Sequence, residues 1–357
     1  MSEAMNIYQG LEFACPLCKA PLQNAGISFS CPACGRSWSV KEGIVDFCVE
    51  KPGYWGEYSR EVMQDLIARA KQAGWQEALK EKFLKTDPSY YEYILDESRA
   101  DWHFIVPLKD DARILDLGCG WGTLSVALSR IYKEVVAFDT SISRVEFVSL
   151  RRQSENLSNL FPVCGQSNHL PLPEAYFDLV VLNGVLEWIP SVEEGIDPYR
   201  AQLEALKELR RVLKKDGFLY LAIENRWSFL NFLGYKDTHS GLRFAPLLPR
   251  RLANMYSRHM RKRDFREYTY TYGGHIRMLT KAGFSRIRFF APIPAYRRFH
   301  NIVSIDDDRA VRFFLKNLVT PRNTMQACLL AFARAFFFYK LVKYFVPDFS
   351  ILAQPGD

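Results

Sequence analysis

Between Tyr54 and Pro107 the apolar positions keep a helical period: in EVMQDLIARAKQAGWQEALKEKFL, Val62, Leu66, Ile67 and Ala70 share one face. Thr86-Asp87-Pro88-Ser89 interrupts the run, and Asp87 or Ser89 is placed to cap a following helix. The stretch Tyr90 to Val106 carries Tyr90, Tyr91, Tyr93, Trp102, His103 and Phe104, either a face that packs on the main domain or part of a lid over a ligand pocket. The pattern then changes. Ile114 to Leu117 reads as a buried strand running into a glycine turn, Thr123 to Ile131 as a helix, and Val135 to Asp139 as a second short strand ending in an acid. This is the order of a βαβ nucleotide-binding unit, in which glycines admit the ligand to the backbone and the acid binds ribose hydroxyls. Asp139 lies 17 residues past Gly122, within reach of that role.

The glycine turn narrows the ligand. Its spacing is G-x-G-x-G, at Gly118, Gly120 and Gly122, and not the G-x-G-x-x-G of dinucleotide sites. Asp116 at the strand end would repel a pyrophosphate. A nucleoside without phosphates at the turn, bearing a sulfonium or ammonium, suits it better.

Four of the eight cysteines form C-x2-C-x12-C-x2-C, at Cys15, Cys18, Cys31 and Cys34. Two such pairs on tight turns supply the closed thiolate shell of structural zinc, with no position open for hydrolytic chemistry. The passage from Cys31 to Phe47 resembles the zinc ribbon that precedes or partners many methyltransferases. In such proteins the ribbon stabilises the enzyme or helps to grip substrate.

The segment ILDLGCGWG with VVAFDTS resembles the first two motifs of the class I S-adenosylmethionine-dependent methyltransferases. Gly165 to Leu172, Tyr176 to Gly184, and Leu206 to Ile223 match the later ones. The resemblance covers about 113–225 and resumes at 273–292. It implies an α/β fold: a Rossmann-like seven-stranded sheet with helices on both faces, here joined by the small N-terminal zinc ribbon and helical insertions. The implied domains are a ribbon over 1–50, a helical linker or lid over 51–110, and a methyltransferase domain over 111–357 with insertions at about 226–272 and 295–347. The terminal Phe349 to Ala353 is expected as the last strand, hairpinned to Arg286 to Ala291.

By the same resemblance, Gly118, Gly120 and Gly122 line the methionine part of S-adenosylmethionine, with Asp116 near its amino group. Asp139 takes the ribose hydroxyls with Thr140 and Ser141 beside it; Gln166 stands where the family often has Asp on the adenine amine. Ser167 supplies backbone contacts and Asn183 faces the donor. Gln166 and Asn183 read equally well as ordinary loop amides.

Methyl transfer is an in-line displacement that needs alignment first, and a base when the acceptor is a hydroxyl. The candidate bases are His239, Glu224 and Glu187; His239 reads equally as a turn residue of the DTHSG loop, and Glu187 as a structural acid. In 295–347, expected to be mostly helical, Phe336, Phe337, Phe338, Leu341, Val342 and Phe345 stand beside Arg334, Lys340 and Lys343. This suits core packing, dimer contact or an interfacial membrane face.

Composition changes the picture in two ways. The 357 residues are 48% apolar with a net charge of +7, which excludes disordered and collagen-like classes. The charge is uneven: from Arg226 onward 23 Lys/Arg face 8 Asp/Glu, a net +15, against −8 before it. A basic C-terminal third points to an anionic partner, whether nucleic acid, a phosphorylated small molecule or an acidic membrane surface, or to a solvated face. The segments ENRW, DTHSG, LLPRRL and Ala291 to Arg297 resemble bacterial methyltransferases of glycan or lipid-linked sugar pathways, which implies a small-molecule or lipid-linked acceptor such as a saccharide hydroxyl. Ribosomal or transfer RNA is the alternative, gripped by ribbon and basic third, although no N-P-P-Y-type motif follows the fourth strand. MSEAMNIYQG has neither the basic nor the apolar region of a secretory leader, and Cys328 to Pro347 is too interrupted by charge to span a bilayer. The expected location is cytoplasmic, with peripheral membrane contact open.

Overall fold

The computed structural model describes residues 7–24, 26–49, 58–192, 195–319, 327, 328, 330, 331 and 338–356. Residues 54–57, where the helical pattern begins, and Arg334, Phe336 and Phe337 lie outside the described residues. Two compact units divide the chain: Met1–Leu182 with Glu204–Leu219, and Asn183–Leu203 with Tyr220–Gly356.

The first unit opens with a small antiparallel sheet, β1 (Gln23–Asn24), β2 (Ser28–Ser30), β3 (Ser37–Lys41) and β4 (Ile44–Val45), in that order. Phe13, Phe29, Trp38 and Phe47 pack ring against ring beneath it. Phe47 is fully buried, and truncation of such a ring costs about 3–5 kcal/mol.

The helical pattern resolves into α1 (Arg60–Ala73), α2 (Trp75–Phe83) and α3 (Pro88–Leu95), followed by a 3-10 segment over Glu97–Ile105. Ser59 caps α1 by accepting the Val62 N–H, and Gly74 ends it at a φ of 90° that favours glycine. Asp87 caps α3 by accepting the Tyr90 N–H, with Pro88 in the first turn. Met63, Leu66, Leu79, Phe83 and Ile94 bury their side chains against Trp121 and Phe147.

The main sheet has eight strands, not seven. These are β5 (Arg113–Leu117), β6 (Glu134–Asp139), β7 (Leu160–Cys164), β8 (Phe177–Asn183), β9 (Leu213–Glu224), β10 (Phe284–Ala295), β11 (Arg298–Ser304) and β12 (Asp348–Pro355). Their order is β11-β10-β12-β9-β8-β5-β6-β7. In the first unit β8, β5, β6 and β7 run parallel, crossed by α4 (Thr123–Ser129) and α5 (Ile142–Ser154), and their near-continuous apolar sequences are buried on both faces. The edge of β7 is covered by the ribbon: Asp46 pairs with Cys164, and Phe47 N–H donates to the Cys164 carbonyl at 2.8 Å.

In the second unit β12 pairs antiparallel with β10, as the hairpin expectation requires. The expectation of a mostly helical 295–347 needs correction at its start, because β11 pairs with β10 through the two-residue turn Tyr296–Arg297. That turn carries none of the Asn or Gly residues that announce a hairpin. The helices that follow in the chain are α6 (Ile189–Val192), α7 (Pro198–Val212), α8 (Phe229–Phe232), α9 (Arg250–Arg261), α10 (Tyr272–Lys281) and α11 (Asp308–Asn317).

Candidate functional site

The glycine turn after β5 is held open by its own backbone. Gly118, Gly120 and Gly122 adopt φ of 72°, 54° and 76°. A β-carbon on Gly122 would also fall 2.8 Å from Val148 Cγ2. Asp139, ending β6, accepts the Gly120 N–H on Oδ2 at 3.0 Å and the Ser141 N–H on Oδ1 at 2.9 Å, so it shapes the turn it faces. Burial raises its carboxyl pKa. Asp116 is buried and accepts the Ser125 hydroxyl at 2.5 Å; burial pushes its pKa up to about 6.

The remaining donor-side candidates differ in how free they are. Gln166 Oε1 accepts the Val49 N–H at 3.1 Å, so the oxygen assigned to an adenine amine also ties the end of the ribbon to this loop. Thr140 is half-buried and Ser167 buried. Asn183, the last residue of β8, has neither amide atom bonded although both are buried. The aromatic face of α3 packs on the glycine turn: Trp121 Nε1–H donates to Tyr90 Oη at 2.7 Å, and Thr123 Oγ1 donates to the Ile94 carbonyl at 2.6 Å.

Glu187, Glu224 and His239 converge in the second unit. Glu187 lies in the loop after β8, Glu224 ends β9, and His239 sits in the DTHSG turn. His239 Nε2 is 2.9 Å from Glu224 Oε2 and 3.8 Å from Glu187 Oε1, with the His239 and Glu187 side chains wholly buried. The 2.9 Å pair is not aligned for an N–H···O bond, and Glu187 Oε1 and Oε2, Glu224 Oε2 and both His239 nitrogens have no hydrogen-bond partner. Glu224 Oε1, in contrast, accepts the Tyr296 hydroxyl at 3.1 Å and the Thr238 hydroxyl at 3.2 Å. The Trp188 ring meets the imidazole edge-on at 4.7 Å between centroids.

Electrostatics follows from this packing. Burial, then the charge of Glu224, pushes Glu187 up to about 8. Burial opposes ionisation of Glu224, but the facing imidazole prevails and holds its carboxyl down at about 2. Burial likewise opposes charge on His239, and Glu224 overcomes it to raise the imidazole to about 9. These shifts favour charge on His239 and Glu224 and the neutral acid at Glu187.

Sequence reasoning passed over two members of this site. Tyr296 fixes Glu224, and its backbone N–H donates to Asp348 Oδ2 at 3.1 Å. Burial and the charge of Glu224 push Asp348 up to about 7. An acid at the head of the otherwise apolar run Phe349 to Ala353 was the signal for Asp348. Tyr296 had none.

In the ribbon, Cys18 Sγ lies 3.5 Å from Cys31 Sγ and Cys15 Sγ 3.7 Å from Cys34 Sγ. All four sulfurs fall within 4.8 Å of one another. A tetrahedral ion at about 2.3 Å from each thiolate sets neighbouring sulfurs about 3.8 Å apart, so the donor set fits zinc. Both knuckles close alike, Lys19 N–H on the Cys15 carbonyl and Gly35 N–H on the Cys31 carbonyl, with left-handed φ of 61° at Lys19 and 72° at Gly35.

Much of the basic charge in the C-terminal third is bonded internally. Arg226 donates to the Pro246 and Leu248 carbonyls, and Arg250 donates to the Thr269 carbonyl while lying over the Tyr268 ring. Arg258 pairs with Asp264, and Arg261 and Arg263 pair with Glu267. The second unit also holds an apolar cavity of about 230 Å³, lined among others by Phe229, Ile293, Val303, Val311, Phe314 and Phe345. Among the described residues no helix is long and apolar enough to cross a membrane.

A family profile described as "Methyltransferase domain" matches residues 115–221. The chain is 29% identical over 116 residues to (S)-coclaurine N-methyltransferase of Thalictrum flavum subsp. glaucum, covering 32% of this chain and 29% of that one. It is 30% identical over 118 residues to malonyl-[acyl-carrier protein] O-methyltransferase of Geobacter sulfurreducens, covering 32% and 39%. Each match thus spans well under half of the relative's length. Among solved structures, phosphoethanolamine N-methyltransferase 2 of Haemonchus contortus superposes with a TM-score of 0.44 at 13% identity, covering 79% of this chain and 60% of that one. Residues 115–221 are therefore a methyltransferase domain.

Proposed function

We propose that the chain transfers a methyl group from S-adenosylmethionine to the oxygen of a small-molecule or lipid-linked acceptor. The observation that supports this most is the Glu187–Glu224–His239 group, with Glu187 and His239 wholly buried and Glu224 partly so, gathered from the loop after β8 and the C-terminal end of β9, the strand ends at which open parallel sheets bind ligands. On the donor side Gly118, Gly120 and Gly122 admit the methionine part, Asp116 takes its ammonium and Asp139 the ribose hydroxyls. Thr140, Gln166 and Ser167 complete that side. Glu187, Glu224 and His239 hold the reacting oxygen and set its protonation. As the methyl moves, the carbon–sulfur bond breaks with its electron pair on sulfur, a carbon–oxygen bond forms, and the hydroxyl proton passes to the Glu224 carboxylate and on to water.

The four cysteines hold a structural zinc, which keeps the ribbon on the edge of β7. A lipid-linked acceptor is favoured by the apolar cavity and by α9, where exposed Leu252, Met255 and Met260 alternate with Arg251 and Arg258. Such a helix suits peripheral contact with an anionic membrane surface. The internal pairing of so many arginines weighs against RNA as the acceptor. The test is transfer of a labelled methyl group from S-adenosylmethionine in a cell extract. Label in the solvent-extracted lipid or small-molecule fraction is expected; label in RNA contradicts the reading.

A further inference from the structure

We propose that Glu187, Glu224 and His239 bind one divalent first-row cation of the Mn²⁺ kind, separate from the four-cysteine cluster. The proposal deepens the acceptor-side reading and rests on it for the cation's use.

The donor atoms are already gathered. One carboxylate oxygen from each glutamate and an imidazole nitrogen lie within 4.8 Å of one another. A cation with ligands at about 2.1–2.2 Å separates neighbouring octahedral donors by about 3.0 Å and tetrahedral donors by about 3.5 Å. The observed 2.9 Å and 3.8 Å from His239 Nε2 bracket those values. These same atoms lack hydrogen bonds: both oxygens of Glu187, Oε2 of Glu224 and the ring nitrogens of His239 are buried and unpartnered. Buried carboxylates are normally hydrogen-bonded, paired or on a metal. The 2.9 Å contact between His239 Nε2 and Glu224 Oε2 is an ion pair when the imidazole is protonated; on the neutral ring the same two atoms are donors close enough to share one ion.

The surroundings support the ligands as a metal's outer shell does. Tyr296 and Thr238 hold Glu224 Oε1 and leave Oε2 directed at the group. Trp188 fixes the imidazole edge-on. Asp237 and Asp348 act electrostatically on the same group, and the cation nearest Glu224 besides His239 is Arg297, half-exposed with Nη2 3.9 Å from Oε1. Two carboxylates beside one imidazole accept divalent first-row ions from Mn²⁺ to Zn²⁺, of which Mn²⁺ carries a spin that reports its ligands, while the four thiolates of the ribbon suit zinc. Three protein ligands leave coordination positions for the acceptor. There the acceptor hydroxyl would release its proton to water, and the resulting oxygen would take the methyl carbon as the carbon–sulfur bond breaks with its electron pair on sulfur.

The test uses the full chain with its cysteine cluster zinc-loaded, titrated with MnCl₂ and followed by electron paramagnetic resonance. We expect one Mn²⁺ per chain, with nitrogen modulation from a single imidazole in the spin-echo signal. Glu187→Gln and His239→Gln should each weaken Mn²⁺ at least tenfold, and His239→Gln should remove the nitrogen modulation, with donor affinity kept in both. No Mn²⁺ binding, or Mn²⁺ bound without nitrogen modulation or equally well by both variants, overturns the proposal. If a variant fails to fold, the wild-type nitrogen modulation decides alone. Donor titration tests the methyltransferase reading separately: a chain that binds donor but no Mn²⁺ loses only the metal site, and one that binds Mn²⁺ but no donor loses only that reading.

Discussion

The hydroxyl of Tyr296 lies 2.6 Å from the point where a β-carbon on Gly184 would sit. Gly184 is also left-handed, with a φ of 72°. Glycine is therefore required twice at the end of β8, and its smallness lets Tyr296 reach Glu224. Gly184→Ala should destabilise the protein by about 1–3 kcal/mol, from backbone strain and the displaced phenol together. Thermal melting measures it, and an unchanged melting temperature would show that Tyr296 is not fixed there. Tyr296→Phe, which fits the same space, should melt close to wild type while slowing methyl transfer.

Asp139 both shapes the glycine turn and faces the ribose position. Asp139→Ala should weaken S-adenosylmethionine binding at least tenfold, about 1.4 kcal/mol. Calorimetric titration checks this, and unchanged affinity would remove Asp139 from the donor site.

Replacing Cys15 and Cys18 together by Ser should abolish zinc binding and release the ribbon from the edge of β7, lowering the melting temperature. Elemental analysis for zinc alongside a melt checks it. Wild-type protein without zinc at the cysteine cluster would contradict the assignment.

His275 on α10 is fully buried against Tyr270 and Phe349 with neither ring nitrogen bonded, and burial lowers its pKa to about 3. The unfolded chain takes up this proton below about pH 6.5, whereas the folded one does so only near 3. Between those limits stability should fall as pH falls, by about 1.4 kcal/mol per pH unit from this group. His275→Phe should flatten that part of the profile in denaturant titrations. An identical slope in the variant would show that His275 charges freely in the fold.

The glycine turn and the acid that faces it were legible in the sequence because their geometry is local. Three glycines within five residues and an acid at the next strand end specify a turn that few other residues can adopt. The cysteine pairs were legible for the same reason. Glu187, Glu224 and His239 were each picked out by position, but their convergence was not, since it depends on how the segments after β8 and β9 pack. The strand β11 escaped notice because its hairpin turn lacks Gly and Asn. A count of charges in the basic third does not show that Arg226, Arg250, Arg261 and Arg263 bond to the chain's own carbonyls and carboxylates.

The account depends first on the glycine turn holding a methyl donor. Calorimetric titration of the full chain with S-adenosylmethionine and with its demethylated product measures this directly. Micromolar binding of both, weakened by Asp139→Ala, is the predicted result. Binding of neither by folded protein would contradict the methyltransferase reading itself.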